Sequence, residues 1–218
     1  MPVNKEAYKR INDELRLSKI SLVAVSKTKP VEDIQELYDL GHRDFGENYV
    51  QELVEKAEQL PTDIRWHFIG HLQTNKVKLI VPFVYLIHGV DSVKLLNEIN
   101  KQAEKHSRVV HCLLQVHIAR EETKFGFDEN ELFSLQISQF ANVKINGLMG
   151  MATLTNDMNK VRTEFTHLKT IFKKLQTSNP RLQTLSMGMS SDYKIAIEEG
   201  SNMVRIGSLL FGERNYQK

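Results

Sequence analysis

Short apolar stretches rich in β-branched residues alternate along the chain with longer stretches in which apolar residues recur every three or four positions. The short ones are LVAVS (22–26), RDFG (43–46), WHFIG (66–70), VYLIHGV (84–90), VVHCLLQVHI (109–118), VKINGLMGM (143–151), LQTLSMGM (182–189) and NMVRIG (202–207). At least five of them are continuous rather than alternating, the pattern of strands covered on both faces. RDFG is weak, and its place in the order is what predicts a strand there.

The intervening stretches predict helices. Asn4 to Leu17 precedes the first strand. Val31, Ile34, Leu37 and Tyr38 form one stripe closed by Gly41. Asp91 is placed to cap a helix with Leu95, Leu96, Ile99 and Ala103 on one face. The longest helix, Asn156 to Gln176, buries Val161, Phe165, Leu168, Phe172 and Leu175, and Ile195 and Ala196 sit in a short one after the seventh strand. A leading helix and eight strand–helix units, without a linker or internal repeat, predict an α/β fold of (β/α)8 TIM-barrel type in one domain, 1–218. A doubly wound open sheet is the alternative, but KTKP after the first strand is not the glycine-rich loop such sheets use for dinucleotides.

Composition narrows the class. With 29 basic and 27 acidic residues, the chain carries no surplus for a long nucleic-acid surface or a polybasic membrane tail. Cys112, the single cysteine, lies in an apolar run and reads as a buried, inert thiol. No stretch approaches the roughly 18 apolar residues of a spanning helix, and the amino terminus lacks a signal-type apolar core. The expected compartment is cytoplasmic.

In a barrel, chemistry collects at the carboxyl ends of the strands. That rim reads Ser26-Lys27, Gly46-Glu47-Asn48, Gly70-His71, His88, Gly150, Met187 to Ser191, and Arg205 to Ser208, several of them a glycine beside a polar residue. Lys27 shares strand parity with Val23 and Val25, so its amine either snorkels at the rim or has a task that partial desolvation would serve. SMGMSSD precedes a helix expected to begin near Ser190 or Ser191, and RIGS follows the last strand. Loops after strands seven and eight are where barrels build phosphate sites. Arg205 has the parity of Met203, and a buried guanidinium there either holds a neighbouring carboxylate or faces a heterocycle nitrogen. His67, His71, His88, His111, His117 and His167 show no metal-ligand spacing, so no metal is expected.

An amine, a phosphate cradle and an inward arginine are the three handles pyridoxal 5′-phosphate (PLP) requires. The motifs VAVSKTKP, FGENYVQE, WHFIGHLQTNK, IHGVDS, ETKFGF, GLMGMAT, LSMGMSSD and MVRIGSLLFGER, in this order over nearly the whole chain, resemble the PLP homeostasis protein family, single-domain relatives of the alanine racemase barrel. The resemblance implies a fold-type III PLP barrel in which Lys27 is the Schiff-base lysine and Asn48 lines the pocket. Ser190, Gly207 and Ser208 would bind phosphate, Met187 and Gly188 would shape the pocket beside it, and Arg205 would be the pyridine-nitrogen partner. At Gly150 relatives often carry cysteine or another small residue, a departure expected to alter packing near the sixth strand. The racemases add a carboxyl-terminal β-domain with a second acid/base tyrosine, and none of this chain's tyrosines matches it by motif. The expected function is therefore a monomeric PLP carrier in vitamin B6 and amino/keto acid homeostasis without turnover, with apo-forms of PLP-dependent enzymes as partners. A weak amino-acid racemase and a docking adaptor are the competing readings.

Overall fold

A computed structural model describes residues 3–119 and 125–212. Eight parallel strands close in sequence order into a barrel: β1 (Ser21–Val25), β2 (Asp44–Glu47), β3 (Arg65–Phe68), β4 (Leu86–Val90), β5 (Val110–Gln115), β6 (Val143–Met149), β7 (Thr184–Ser186) and β8 (Met203–Ile206). β8 returns to β1 in the register Val23↔Arg205, which brings the two residues singled out for chemistry, Lys27 and Arg205, to adjacent strands. Each expected strand is present at its place, RDFG included. The (β/α)8 barrel is the architecture.

Helices wrap the barrel: α1 (Lys5–Leu17), α2 (Val31–Asp39), α3 (Val50–Gln59), α4 (Val77–Ile80), α5 (Val93–Lys105), α6 (Glu129–Ser134), α7 (Met158–Ser178), α8 (Tyr193–Glu198) and α9 (Ser208–Phe211). Asn4 starts α1 by accepting from the Ala7 amide, and Tyr8, Ile11 and Leu15 bury its inner face. Gly41 takes φ of +92° just past α2, the conformation that lets the chain turn back into β2. Two expected boundaries move. The cap of α5 is Ser92, whose hydroxyl accepts from the Leu95 amide, while Asp91 turns away to His71 at 2.9 Å. α8 begins at Tyr193, so Ser190 and Ser191 lie in the preceding loop rather than in the first turn.

Strand parity divides the buried residues into two layers. Leu22, Ala24, Phe45, Phe68, Ile87, Cys112, Leu114, Leu148, Leu185, Met187 and Val204 belong to the large apolar layer between sheet and helices. Leu86, Leu113 and Met149, with Met151 and Met203 against them, form a small apolar cluster apart from it. Polar residues share that second parity, among them His67, His88, Gln115, Ser186 and Arg205. Burial raises the Cys112 thiol far above its ordinary range, in keeping with an inert core residue. Among the described residues no helix is long and apolar enough to cross a membrane.

Candidate functional site

Lys27 sits in a tight turn that the end of β1 opens. The Lys29 amide donates to the Ser26 carbonyl at 3.0 Å, and Thr28 between them has φ of +62°, a costly conformation for a β-branched residue. The turn is held from below. Thr28 N–H donates to Glu52 Oε1 at 2.6 Å, and the Lys56 ammonium donates to the Ser26 carbonyl, to Glu47 Oε1 and to Glu52 Oε1 at 2.7–2.8 Å. Ser26 Oγ donates to Glu47 Oε1 at 2.6 Å. Glu47 and Ser26 are fully buried, so two carboxylates and one ammonium from β2 and α3 fix the strained turn in place.

The turn opens onto a cavity of about 390 Å³ at the carboxyl ends of the strands. Six of the expected site residues meet in its wall: Lys27, Asn48, Ser190, Arg205, Gly207 and Ser208. Its volume lies in the range of small-molecule sites. Ser190 Oγ accepts from the Gly207 amide at 3.2 Å, tying the loops after β7 and β8 together. A Cβ on Gly207 would stand 3.1 Å from the Val25 carbonyl, so the absence of a side chain lets this loop lie against β1. Asn48 Oδ1 is buried without a hydrogen-bond partner.

Arg205 is 4% exposed, and its guanidinium donates to Ser186 Oγ at 2.6 Å and to the Gly150 carbonyl at 3.1 Å. Burial pulls it down to about 10, opposed by the charge of Asp192, which leaves it a cation at neutral pH. It therefore holds neutral acceptors and not a neighbouring carboxylate. Met187 and Gly188 do not line the cavity. Met187 is fully buried in the layer facing the helices, and Gly188, at φ +95°, backs onto Ala196 and Tyr193 while its carbonyl accepts from the Arg205 amide. His88, read as a rim residue, lies inside β4 and is wholly buried. Sequence reasoning missed Lys29, Met151 and Leu209 in the wall, and Ser186 behind Arg205. Parity alone could have found Ser186, which alternates with Leu185 and Met187 and so faces the other side of the sheet. Glu122, Thr123 and Lys124 of the ETKFGF motif, and Glu213 and Arg214 of the last one, lie outside the described residues.

The alanine racemase N-terminal domain family matches over residues 5–215. A PLP homeostasis protein from Aquifex aeolicus is 46% identical, over 89% of this chain and 87% of that protein. One from Pasteurella multocida is 40% identical over 92% and 89%. Among solved structures, PipY of Synechococcus elongatus without PLP superposes with a TM-score of 0.91 at 37% identity, covering 95% of this chain and 99% of PipY. PipY with PLP bound superposes with a TM-score of 0.88. Alanine racemase of Clostridium difficile shares the fold, with a TM-score of 0.79 at 15% identity, and this chain spans 60% of its length. The chain thus belongs to the alanine racemase N-terminal domain family and, within it, to the PLP homeostasis proteins.

Proposed function

We propose that the chain binds PLP in the barrel mouth, holds it as a Schiff base on Lys27 with loss of one water, and acts in PLP and amino/keto acid homeostasis without catalytic turnover. The observation that carries this reading is the convergence of Lys27, Asn48, Ser190, Arg205, Gly207 and Ser208 on one cavity, with the Asn48 acceptor buried and unpartnered. These groups fit the cofactor's three handles. An aldehyde calls for the amine, a phosphate for hydroxyls and amides of the tied loops, and an unprotonated ring nitrogen for a permanent donor such as Arg205. Met187 and Gly188 act from behind this wall, through packing and through the Gly188–Arg205 backbone bond. PipY, similar over nearly its whole length, has been solved with PLP bound.

Bound PLP would stabilise negative charge at a substrate's α-carbon, but inversion there needs a proton donor or acceptor on each face. Among the described residues the wall carries no tyrosine, histidine, carboxylate or thiol. Its second amine, Lys29, donates to the Phe211 carbonyl at 2.6 Å. This supports a holder without turnover, which we place in the cytoplasm as a monomer that exchanges PLP with apo-forms of PLP-dependent enzymes.

Absorbance of the purified protein mixed with PLP, followed by borohydride reduction and peptide mapping, tests the reading. The expected result is a visible band and a phosphopyridoxyl adduct on Lys27. Lys27→Ala should lose the adduct and keep weaker binding through the phosphate loops. A colourless wild-type protein, or an adduct on another lysine, would sink it.

A further inference from the structure

Behind Arg205, polar groups continue through the barrel. Ser186 Oγ lies 3.4 Å from His88 Nδ1, His88 Nε2 lies 2.9 Å from His67 Nδ1, and His67 Nε2 lies 3.0 Å from Asp44 Oδ1. Ser186, His88 and His67 are at most 1% exposed. β4 and β7 are not neighbours in the sheet, so the Ser186–His88 contact spans the lumen. Asp44 opens β2 at the opposite rim, where Arg65 holds both its oxygens. Five side chains from five strands thus connect the cavity wall to the far end of the barrel.

The chemistry of the two ends fixes the outer links, and with both rings neutral the inner links follow. A guanidinium only donates and a carboxylate only accepts. Ser186 accepts from Arg205 and donates its own O–H to His88 Nδ1. That nitrogen is then bare, His88 carries its proton on Nε2 and donates to His67 Nδ1, and His67 carries its proton on Nε2 and donates to Asp44. In this arrangement every link has one donor and one acceptor. Burial, followed by the neighbouring His67 and Arg205, holds His88 well below the ordinary histidine range. Burial raises Asp44, but the bonds from Arg65 and His67 outweigh it and hold the carboxyl below its usual range. A further proton on His67 Nδ1 would reverse the inner links and place the His88 proton on Nδ1.

We propose that Ser186, His88, His67 and Asp44 are positioning residues: a one-way donor chain that orients the Arg205 guanidinium toward the cofactor ring and links its charge to a carboxylate across the lumen. The neutral acceptors on Arg205 are why such a link matters, since a buried cation is costly unless its surroundings are polarised to receive it. The proposal rests on the PLP reading for what Arg205 faces, but the direction of the chain does not.

The test joins nitrogen-15 NMR of the histidine rings, without cofactor, to the absorbance maximum of bound PLP in Asp44→Asn, Ser186→Ala and the double variant. His67 and His88 should both carry their proton on Nε2. Asp44→Asn should shift the PLP band although Asp44 lies outside the cavity, and borohydride should still trap PLP on Lys27. Once Ser186→Ala has cut the chain, Asp44→Asn should add no further shift, a non-additivity that general loosening of the fold would not give. Asp63→Asn, on the exposed surface, should leave the band unmoved. A His88 proton on Nδ1 would overturn the assigned direction. An equal Asp44→Asn shift with or without Ser186, or none at all, would overturn the positioning role. Failure of the wild type to take up PLP would instead overturn the binding reading, and the NMR would still decide the direction of the chain.

Discussion

Glu47 shows how much of this site depends on charges that never touch the cavity. One Lys56 ammonium serves two carboxylates, and Glu47 Oε2 is buried without a partner. Burial pushes the Glu47 carboxyl up to about 7, against the pull of Lys56 and Ser26. A carboxyl raised in the fold stabilises it fully below the unfolded value of about 4.5, and that contribution is lost as the pH rises through about 7. The loss is on the order of 3 kcal/mol. Denaturant unfolding across pH 4.5 to 8 should therefore show a decline that Glu47→Gln flattens; an unchanged profile in the variant would place the proton elsewhere. At this scale the sequence was half legible. Lys27 and Arg205 were found from strand parity, because each is a cation in phase with apolar residues. Glu47 and Lys56 lie nine positions apart on a strand and a helix, and nothing in GENYVQELVEK says that both turn inward. Met187 was assigned by motif against its own parity, which it shares with Leu185 and the helix-facing layer.

Elements meet at the rim through glycines, and here the reason differs from the expected one. A glycine beside a polar residue suits close approach by a ligand. A Cβ on Gly70, after β3, would instead lie 2.2 Å from the Asn48 carbonyl, and one on Gly89, in β4, would lie 2.4 Å from the Gly70 carbonyl. The close approach is between neighbouring loops, and it sets the backbone of Asn48. Gly150 packs against Leu168 of α7 while its carbonyl holds Arg205, so its contacts reach beyond packing near β6. Gly70→Ala should lower both thermal stability and PLP uptake, because the Asn48 backbone must move. Gly41→Ala, with nothing within 4 Å of the added carbon but φ of +92°, should cost only about 1–2 kcal/mol of strain and leave uptake intact. Identical behaviour of the two variants in calorimetry and absorbance titration would mean that the rim yields freely. The count of eight strand–helix units calls for α3 without naming its stripe, and there Lys56 shares the buried face with Leu53. The starts of α5 and α8 were misplaced because an aspartate or serine signals a cap without saying which neighbour supplies it.

For the whole molecule, the barrel was legible because eight apolar runs and their crossovers leave a parallel sheet few ways to close. The polar lumen was not, since it is assembled from single residues on strands that meet only after closure. Closure also bears on stability. β7, of three residues, is the shortest strand, and the site sits over it: Ser190 follows β7, Gly207 and Ser208 follow β8, and Lys27 follows β1. A ligand attached to Lys27 and to both phosphate loops would bridge β7 to β1 across β8, on the side of the barrel away from β4 and β5. Ligand at about 100 times its Kd stabilises the native state by about 2.7 kcal/mol. That gain appears in full only for amides exposed by global opening, and local openings change only where the ligand binds. Hydrogen exchange with and without PLP should therefore show local protection at β7, β8 and α8 and in the turn after β1, while fast local openings in α5 and α6 stay unchanged. Lys27→Ala should lose the protection after β1 and retain part of it at the two phosphate loops. Protection centred on β4 and β5 instead would move the cofactor away from this seam.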